Sequence, residues 1–176
     1  YFVDLETLCE DGLLTEEELA ADWGGDPGRV DYEKIYQNRF RLLQKATERG
    51  WERDAEKVKT FTEKNAGWLP DYALFMALKE DNGGLSWLEW PEELRLRRAG
   101  ALKQAREEHA GEIAFWKQVQ YLFFRQWWGL KEYANKKGVS IIGDLPIYGG
   151  LESAVVWANP EQFQVDEKIL HLLPEC

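Results

Sequence analysis

Apolar residues recur at helical spacing along most of the chain, and this pattern predicts a mainly helical fold. Leu69 to Leu78 is apolar nearly all round and predicts a buried helix, which should end at Asn82-Gly83-Gly84. From about Leu102 to Lys137, apolar residues recur at steps of three and four on two faces. The second pattern predicts the longest helix of the protein, packed on two sides.

Capping and turn residues predict where the earlier helices begin and end. Thr15 and Glu18 have the spacing of a capping box, which begins a short helix. Asp31 can cap a second helix, which we expect to end near Gly50. The highly charged residues 52–64 predict another helix, with a solvated surface.

A different pattern follows the long helix. Gly138 is a natural helix C-cap, and the apolar run Val139–Gly143 is typical of a buried parallel strand that ends at Asp144. A helix that leads into a strand predicts one αβ unit, and a carboxylate at the end of a barrel strand lies on the face that carries the chemistry. We therefore expect a mainly α fold with one αβ unit. Its segments would be 1–137, helical, and 138–176, with the strand, a loop and a tail, in one compact unit overall.

Composition limits the classes of function. The 176 residues suit one domain, and a net charge of −10 opposes binding to a polyanion, so nucleic acid is not an expected partner. No apolar run reaches the roughly 20 residues of a membrane-spanning helix, so no membrane association is expected and the predicted location is cytoplasmic. Cys9 and Cys176 lie at opposite ends and are expected to be reduced. No metal or other cofactor is predicted.

The chain is rich in aromatic residues, with nine Trp, eight Phe and seven Tyr. Sugar rings stack on aromatic faces, but most aromatic side chains belong to a core, and both interpretations apply here. Asp144 has two interpretations as well. From local sequence it is either a site carboxylate or a turn or N-cap residue.

Several motifs, in order along the chain, closely resemble the amylomaltases, the bacterial 4-α-glucanotransferases related to α-amylases. The resemblance extends from Tyr1 to about Glu167, and it implies a fragment of a (β/α)₈ barrel enzyme that holds the helical insertion and one barrel strand. The motifs include Tyr1-Phe2-Val3-Asp4-Leu5, Trp68-Leu69-Pro70-Asp71-Tyr72-Ala73-Leu74-Phe75, Trp87-Leu88-Glu89-Trp90-Pro91, Phe123-Phe124-Arg125-Gln126-Trp127, Gly143-Asp144-Leu145-Pro146-Ile147-Tyr148 and Val156-Trp157-Ala158-Asn159-Pro160.

The resemblance also implies a reaction, the transfer of α-1,4-glucan segments between maltodextrin acceptors with retention. Such chemistry uses a nucleophile and an acid/base carboxylate about 5 Å apart. In the family both follow the region that this chain matches, so no catalytic residue is expected here and the isolated chain is expected to be inactive. Asp144 matches the family aspartate that helps to hold the donor sugar. Tyr148, Trp157 and Asn159, in the loop after the strand, are weaker candidates for substrate contact.

An alternative is a helical glucan-binding or protein-interaction module without catalysis. Self-association is also expected, through the unpaired strand or the apolar helix faces. The sequence departs from the family at Glu152 and Val155, which replace two aspartates, and it no longer resembles the family after Glu167. A reading-frame change in a longer gene is our hypothesis for that tail.

Overall fold

The structure is a computed structural model that describes residues 1–26, 28–144, 149–163 and 165, and most of these residues are helical. The helices are α1 Leu5–Glu10, α2 Glu16–Leu19, α3 Tyr32–Lys64, α4 Leu69–Asp81, α5 Glu92–Arg95, α6 Ala99–Glu108, α7 Ala110–Lys136 and α8 Ala154–Ala158, with 3₁₀ turns at Trp87–Glu89 and Pro160–Gln162. None of these described helices is long and apolar enough to cross a membrane.

The chain forms two compact units, and each is built from two separate stretches. The first unit consists of Tyr1–Phe61 and Gln118–Ile141. The second consists of Thr62–Lys117 and Ile142–Cys176. The predicted segments 1–137 and 138–176 follow the order of the sequence, and they stay a prediction.

The capping box that begins α2 is confirmed. Thr15 Oγ1 accepts a hydrogen bond from the backbone N–H of Glu18 at 3.4 Å, and Glu18 Oε2 accepts one from the backbone N–H of Thr15 at 3.1 Å. The Glu18 carboxylate also pairs with two cations of α3, Arg49 at 2.6 Å and Lys45 at 2.9 Å. These contacts, Arg49 first, lower the pKa of Glu18 from its ordinary 4.5 to about 2. The same carboxylate therefore caps α2 and ties it to α3.

Helix α3 begins as predicted but ends much later. Asp31 Oδ1 accepts a hydrogen bond from the backbone N–H of Lys34 at 3.1 Å, which confirms the N-terminal cap. The predicted end near Gly50 is wrong, because the helix continues to Lys64. A Cβ atom at Gly50 would lie 3.2 Å from Cδ2 of the buried Leu13. The glycine therefore allows close packing inside the helix instead of ending it.

The predicted helix at Leu69 is confirmed as α4, which ends at Asp81 with Asn82 as its C-cap. The predicted helix from about Leu102 to Lys137 is in fact two helices, α6 and α7. The break falls at His109, which has φ −105° and ψ 29°. Its N–H donates to Ala105 O at 3.0 Å, and its carbonyl accepts from the N–H of Ile113 at 3.0 Å. The apolar pattern continues through the break, so periodicity alone did not reveal it.

The strand predicted at Val139–Gly143 is wrong for this structure. Residues 139–144 have no regular secondary structure and are exposed. An extended segment becomes a strand only when its backbone groups pair with another strand, and the described part of the chain contains no strand. The predicted αβ unit is therefore absent from the described residues. The C-cap before it is confirmed, because Gly138 has φ +76° and the N–H of Val139 donates to Ala134 O at 2.9 Å.

Candidate functional site

Trp157 anchors the short helix α8 in the core of the second unit. Ser153 is the N-cap of this helix, and its Oγ accepts a hydrogen bond from the backbone N–H of Val156 at 3.5 Å. The Trp157 side chain is fully buried, and its Nε1 donates to Leu94 O at 3.1 Å. Its ring centroid is 5.7 Å from those of Phe75 and Trp90. The ring thus holds α8 in place, and its predicted contact with substrate stays a prediction.

Arg97 joins Trp157 to a carboxylate of α4. Its guanidinium carbon is 4.2 Å from the centroid of the Trp157 ring, and its Nη2 donates to Asp71 Oδ1 at 2.9 Å. Nη2 of Arg106 is 3.7 Å from the same oxygen. The other oxygen, Asp71 Oδ2, accepts no hydrogen bond from the described residues. Two cations therefore hold this carboxylate on one side.

Asn159 ends α8 and lines a cleft of about 180 Å³, which we call the α4–α8 cleft. Its Nδ2 donates to Val155 O at 3.1 Å, which fixes the orientation of the amide. The ring centroids of Trp68 and Tyr72 are 5.9 Å apart, and the two ring planes make an angle of 61°. The cleft is lined by Gly67, Trp68, Asp71, Tyr72, Ala154, Val155, Ala158 and Asn159.

The structure places the four predicted site residues differently. It brings Trp157 and Asn159 together at the end of α8, one buried and one lining the cleft. Asp144 is exposed and has no ion pair or hydrogen bond to another described residue. Tyr148 lies outside the described residues. Sequence reasoning missed Asp71 and the two rings beside it as site residues, although they stand in one of the family motifs.

The first unit contains a larger groove, of about 790 Å³, which we call the α1–α7 groove. Gln126 bridges its two sides, since its Oε1 accepts from the N–H of Asp4 at 2.7 Å and its Nε2 donates to Asp4 O at 2.9 Å. Arg125 forms an ion pair with Asp11. The groove is lined by Phe2, Asp4, Thr7, Asp11, Phe123, Arg125, Gln126, Trp127, Gly129 and Leu130. Neither unit has a group of three or more metal-ligating side chains within the described ranges.

Comparison with known proteins confirms the predicted family. The 4-alpha-glucanotransferase family model matches residues 1–169. The chain is 43% identical over 169 residues to the 4-alpha-glucanotransferase of Streptococcus pneumoniae serotype 4, a match that covers 94% of this chain and 34% of that protein. It is 44% identical over 172 residues to that of Thermus thermophilus, with 96% and 34% covered.

A solved structure agrees with the sequence matches. The amylomaltase from Streptococcus agalactiae in complex with acarbose has a TM-score of 0.89 and 34% identity, over 95% of this chain and 34% of that chain. The chain therefore belongs to the 4-alpha-glucanotransferase family. It spans about a third of the length of these relatives.

Proposed function

We propose that this chain is part of a 4-α-glucanotransferase, which transfers α-1,4-glucan segments between maltodextrin acceptors with retention. The observation that carries the proposal is the 44% identity to the Thermus thermophilus 4-alpha-glucanotransferase across 96% of the chain. A retaining transfer requires a nucleophile and an acid/base about 5 Å apart, and we assign neither to this chain. The (β/α)₈ barrel and the cytoplasmic location belong to the same proposal.

Asp144 is proposed to position the donor sugar. Its carboxylate can accept hydrogen bonds from sugar hydroxyls and so orient the ring for reaction, without itself breaking a bond. Its exposure leaves it accessible to a ligand. Tyr148, Trp157 and Asn159 are proposed as weaker contributors. The burial of Trp157 favours an indirect role for it, through the position of α8.

Self-association of the isolated chain is proposed through the exposed apolar surface of α7. Trp128, Leu130 and Tyr133 are each more than half exposed on that helix. Association would remove these large apolar side chains from water, which favours it. Light scattering should detect dimers or larger species, and a monodisperse monomer without dye-accessible apolar surface would contradict this part.

The test of function is a chimera. In the Thermus thermophilus relative, the stretch matched by this chain is replaced with the corresponding residues of this chain. The chimera should convert maltotriose to glucose and longer maltodextrins. Asp144→Asn in the chimera should lower kcat at least tenfold, because it removes a charged acceptor, and should leave the melting temperature within a few degrees. Glu161→Gln, an exposed carboxylate of the same unit, is the matched control.

Three outcomes would count against these assignments. A folded chimera without transfer activity would overturn the proposed function. Near-normal turnover with a large loss of stability in the Asp144→Asn chimera would make Asp144 structural. The isolated chain should show only background activity on maltotriose, and retained activity after removal of host enzymes would place catalytic carboxylates within it.

A further inference from the structure

The α4–α8 cleft combines an aromatic surface with a fixed hydrogen-bond acceptor. Trp68 is 38% exposed and lies beside Tyr72, so one wall of the cleft is aromatic. Asp71 supplies a carboxylate with a side chain that is 36% exposed. Arg97 and Arg106 both contact its Oδ1, which leaves Oδ2 as an acceptor for a ligand. A ring surface next to a small number of fixed polar groups is the usual composition of a ligand site.

The charges around the cleft select the class of ligand. Two arginines already neutralise Asp71, so a cation would gain little from that carboxylate and would be repelled by the second guanidinium. Neither arginine lines the cleft, so an anion would find no guanidinium there to donate hydrogen bonds to it. A neutral ligand with several hydroxyl groups fits these constraints. Its hydroxyls can donate to Asp71 and pair with the Asn159 amide, while its apolar face covers an aromatic ring.

The size of the cleft limits how much of such a ligand it can hold. Its 180 Å³ lies below the roughly 300–1,000 Å³ of pockets that enclose drug-sized ligands. This volume is that of about six water molecules, at roughly 30 Å³ each in the liquid. A single sugar ring is of this size, and the rest of a glucan chain would remain in solvent.

We propose that the α4–α8 cleft binds one glucosyl unit of an α-1,4-glucan. The Trp68 ring stacks on the apolar face of the sugar, and Asp71 Oδ2 accepts a hydrogen bond from one of its hydroxyls. The choice of an α-glucan as ligand rests on the proposed function, whereas the preference for a neutral hydroxylated ring rests on the cleft itself.

The test is a titration of the full chain, labelled with ¹⁵N, with maltotriose, followed by the indole N–H signals of its tryptophans. The Trp68 signal, identified by its loss in Trp68→Ala, should shift and saturate with a dissociation constant on the order of 1 mM, as expected for one weakly held ring. Sorbitol, which has hydroxyls but no ring, should cause no saturable shift.

Variants then assign the site. Asp71→Asn should weaken maltotriose binding several-fold. Trp68→Ala should weaken it at least tenfold, and binding to this variant is measured from the backbone signals of residues 154–159, because the Trp68 signal is absent. Trp51→Ala is the matched control, because Trp51 is 54% exposed on α3 and does not line the cleft. Circular dichroism checks that each variant remains folded. Ala158→Phe provides a second test, since it fills the cleft and should abolish binding without removing either ligand-binding side chain.

The outcomes separate this inference from the proposed function. If the chimera is active but the full chain shows no saturable Trp68 shift at tens of millimolar maltotriose, the cleft assignment alone is overturned. Maltotriose binding at the cleft with an inactive, folded chimera would overturn the proposed function alone. Equal loss of binding in Trp68→Ala and Trp51→Ala would also overturn the cleft assignment.

Discussion

The guanidinium of Arg97 lies 4.2 Å from the centroid of the buried Trp157 ring, so a charged side chain covers the main apolar anchor of α8. The same guanidinium donates to Asp71 on α4. Arg97 makes these contacts from a left-handed backbone conformation, with φ +54°. One residue between α5 and α6 therefore joins the ring beneath α8 to a carboxylate that lines the α4–α8 cleft.

Arg97→Ala should lower the free energy of unfolding by about 2 kcal/mol, through loss of the cation–π contact and of a partly buried ion pair. Arg97→Gly loses the same contacts, but it should be about 1 kcal/mol more stable than Arg97→Ala because glycine tolerates the positive φ. Urea unfolding measures both differences. Arg98 is exposed, so the free energy of unfolding of the control Arg98→Ala should stay within about 0.5 kcal/mol of that of the parent. Equal stability of Arg97→Ala and Arg98→Ala would refute the role of Arg97.

Gly50→Val should destabilise the protein by about 1–3 kcal/mol, because its Cβ would crowd Leu13 at 3.2 Å inside a packed region. Gly129→Val in α7 is the matched control. A Cβ there meets nothing within 4 Å, so the change should be nearly neutral. Thermal unfolding of the two variants gives the comparison. If both lost the same stability, backbone propensity would explain Gly50 and close packing would not.

Glu18 should make stability depend on pH in the acid range. Its pKa is about 2 in the folded protein, below the ordinary 4.5, because Arg49 and Lys45 favour the ionised form. Ionised Glu18 therefore contributes stability that is fully present above about pH 4.5 and is lost as the pH falls from 4.5 towards 2.

Glu18→Gln isolates this effect, because glutamine can still complete the capping box but carries no charge. In urea unfolding, the gap in stability between the parent and Glu18→Gln should be largest near pH 6 and should shrink towards pH 2. Glu16→Gln, in the same helix but outside the ion pairs of the described residues, should show a much smaller change. A gap for Glu18→Gln that is independent of pH would contradict the charge contribution.

Gln126→Ala should increase local opening at the start of the chain and leave the folded structure of the rest of the first unit unchanged. The substitution removes both hydrogen bonds between the Gln126 amide and the backbone of Asp4. Because these bonds are near the surface, we expect a loss of only about 1 kcal/mol in global stability. Hydrogen exchange of the Asp4 N–H and of α1 should become faster. Lys131→Ala on the same helix is the control, and an unchanged exchange rate at Asp4 in Gln126→Ala would refute the prediction.

The candidate site was only partly predictable. Trp157 and Asn159 stand in a motif that the sequence analysis selected, and the structure places both in or next to the α4–α8 cleft. Asp71 stands in another motif, but nothing local to it indicates that it would line a cleft with Asn159. That meeting depends on how α4 packs against α8, and residues distant in sequence determine it.

The sequence by itself determined the features that depend on near neighbours. The capping box of Thr15, the N-cap at Asp31 and the C-cap at Gly138 were all correct, because each uses hydrogen bonds between residues at most five apart. The family followed from the order of short motifs. Only the tertiary structure decided the rest. Gly50 lies inside α3, where Leu13 packs closely against it. Val139–Gly143 is not a strand in the described structure, because strands form only with a partner.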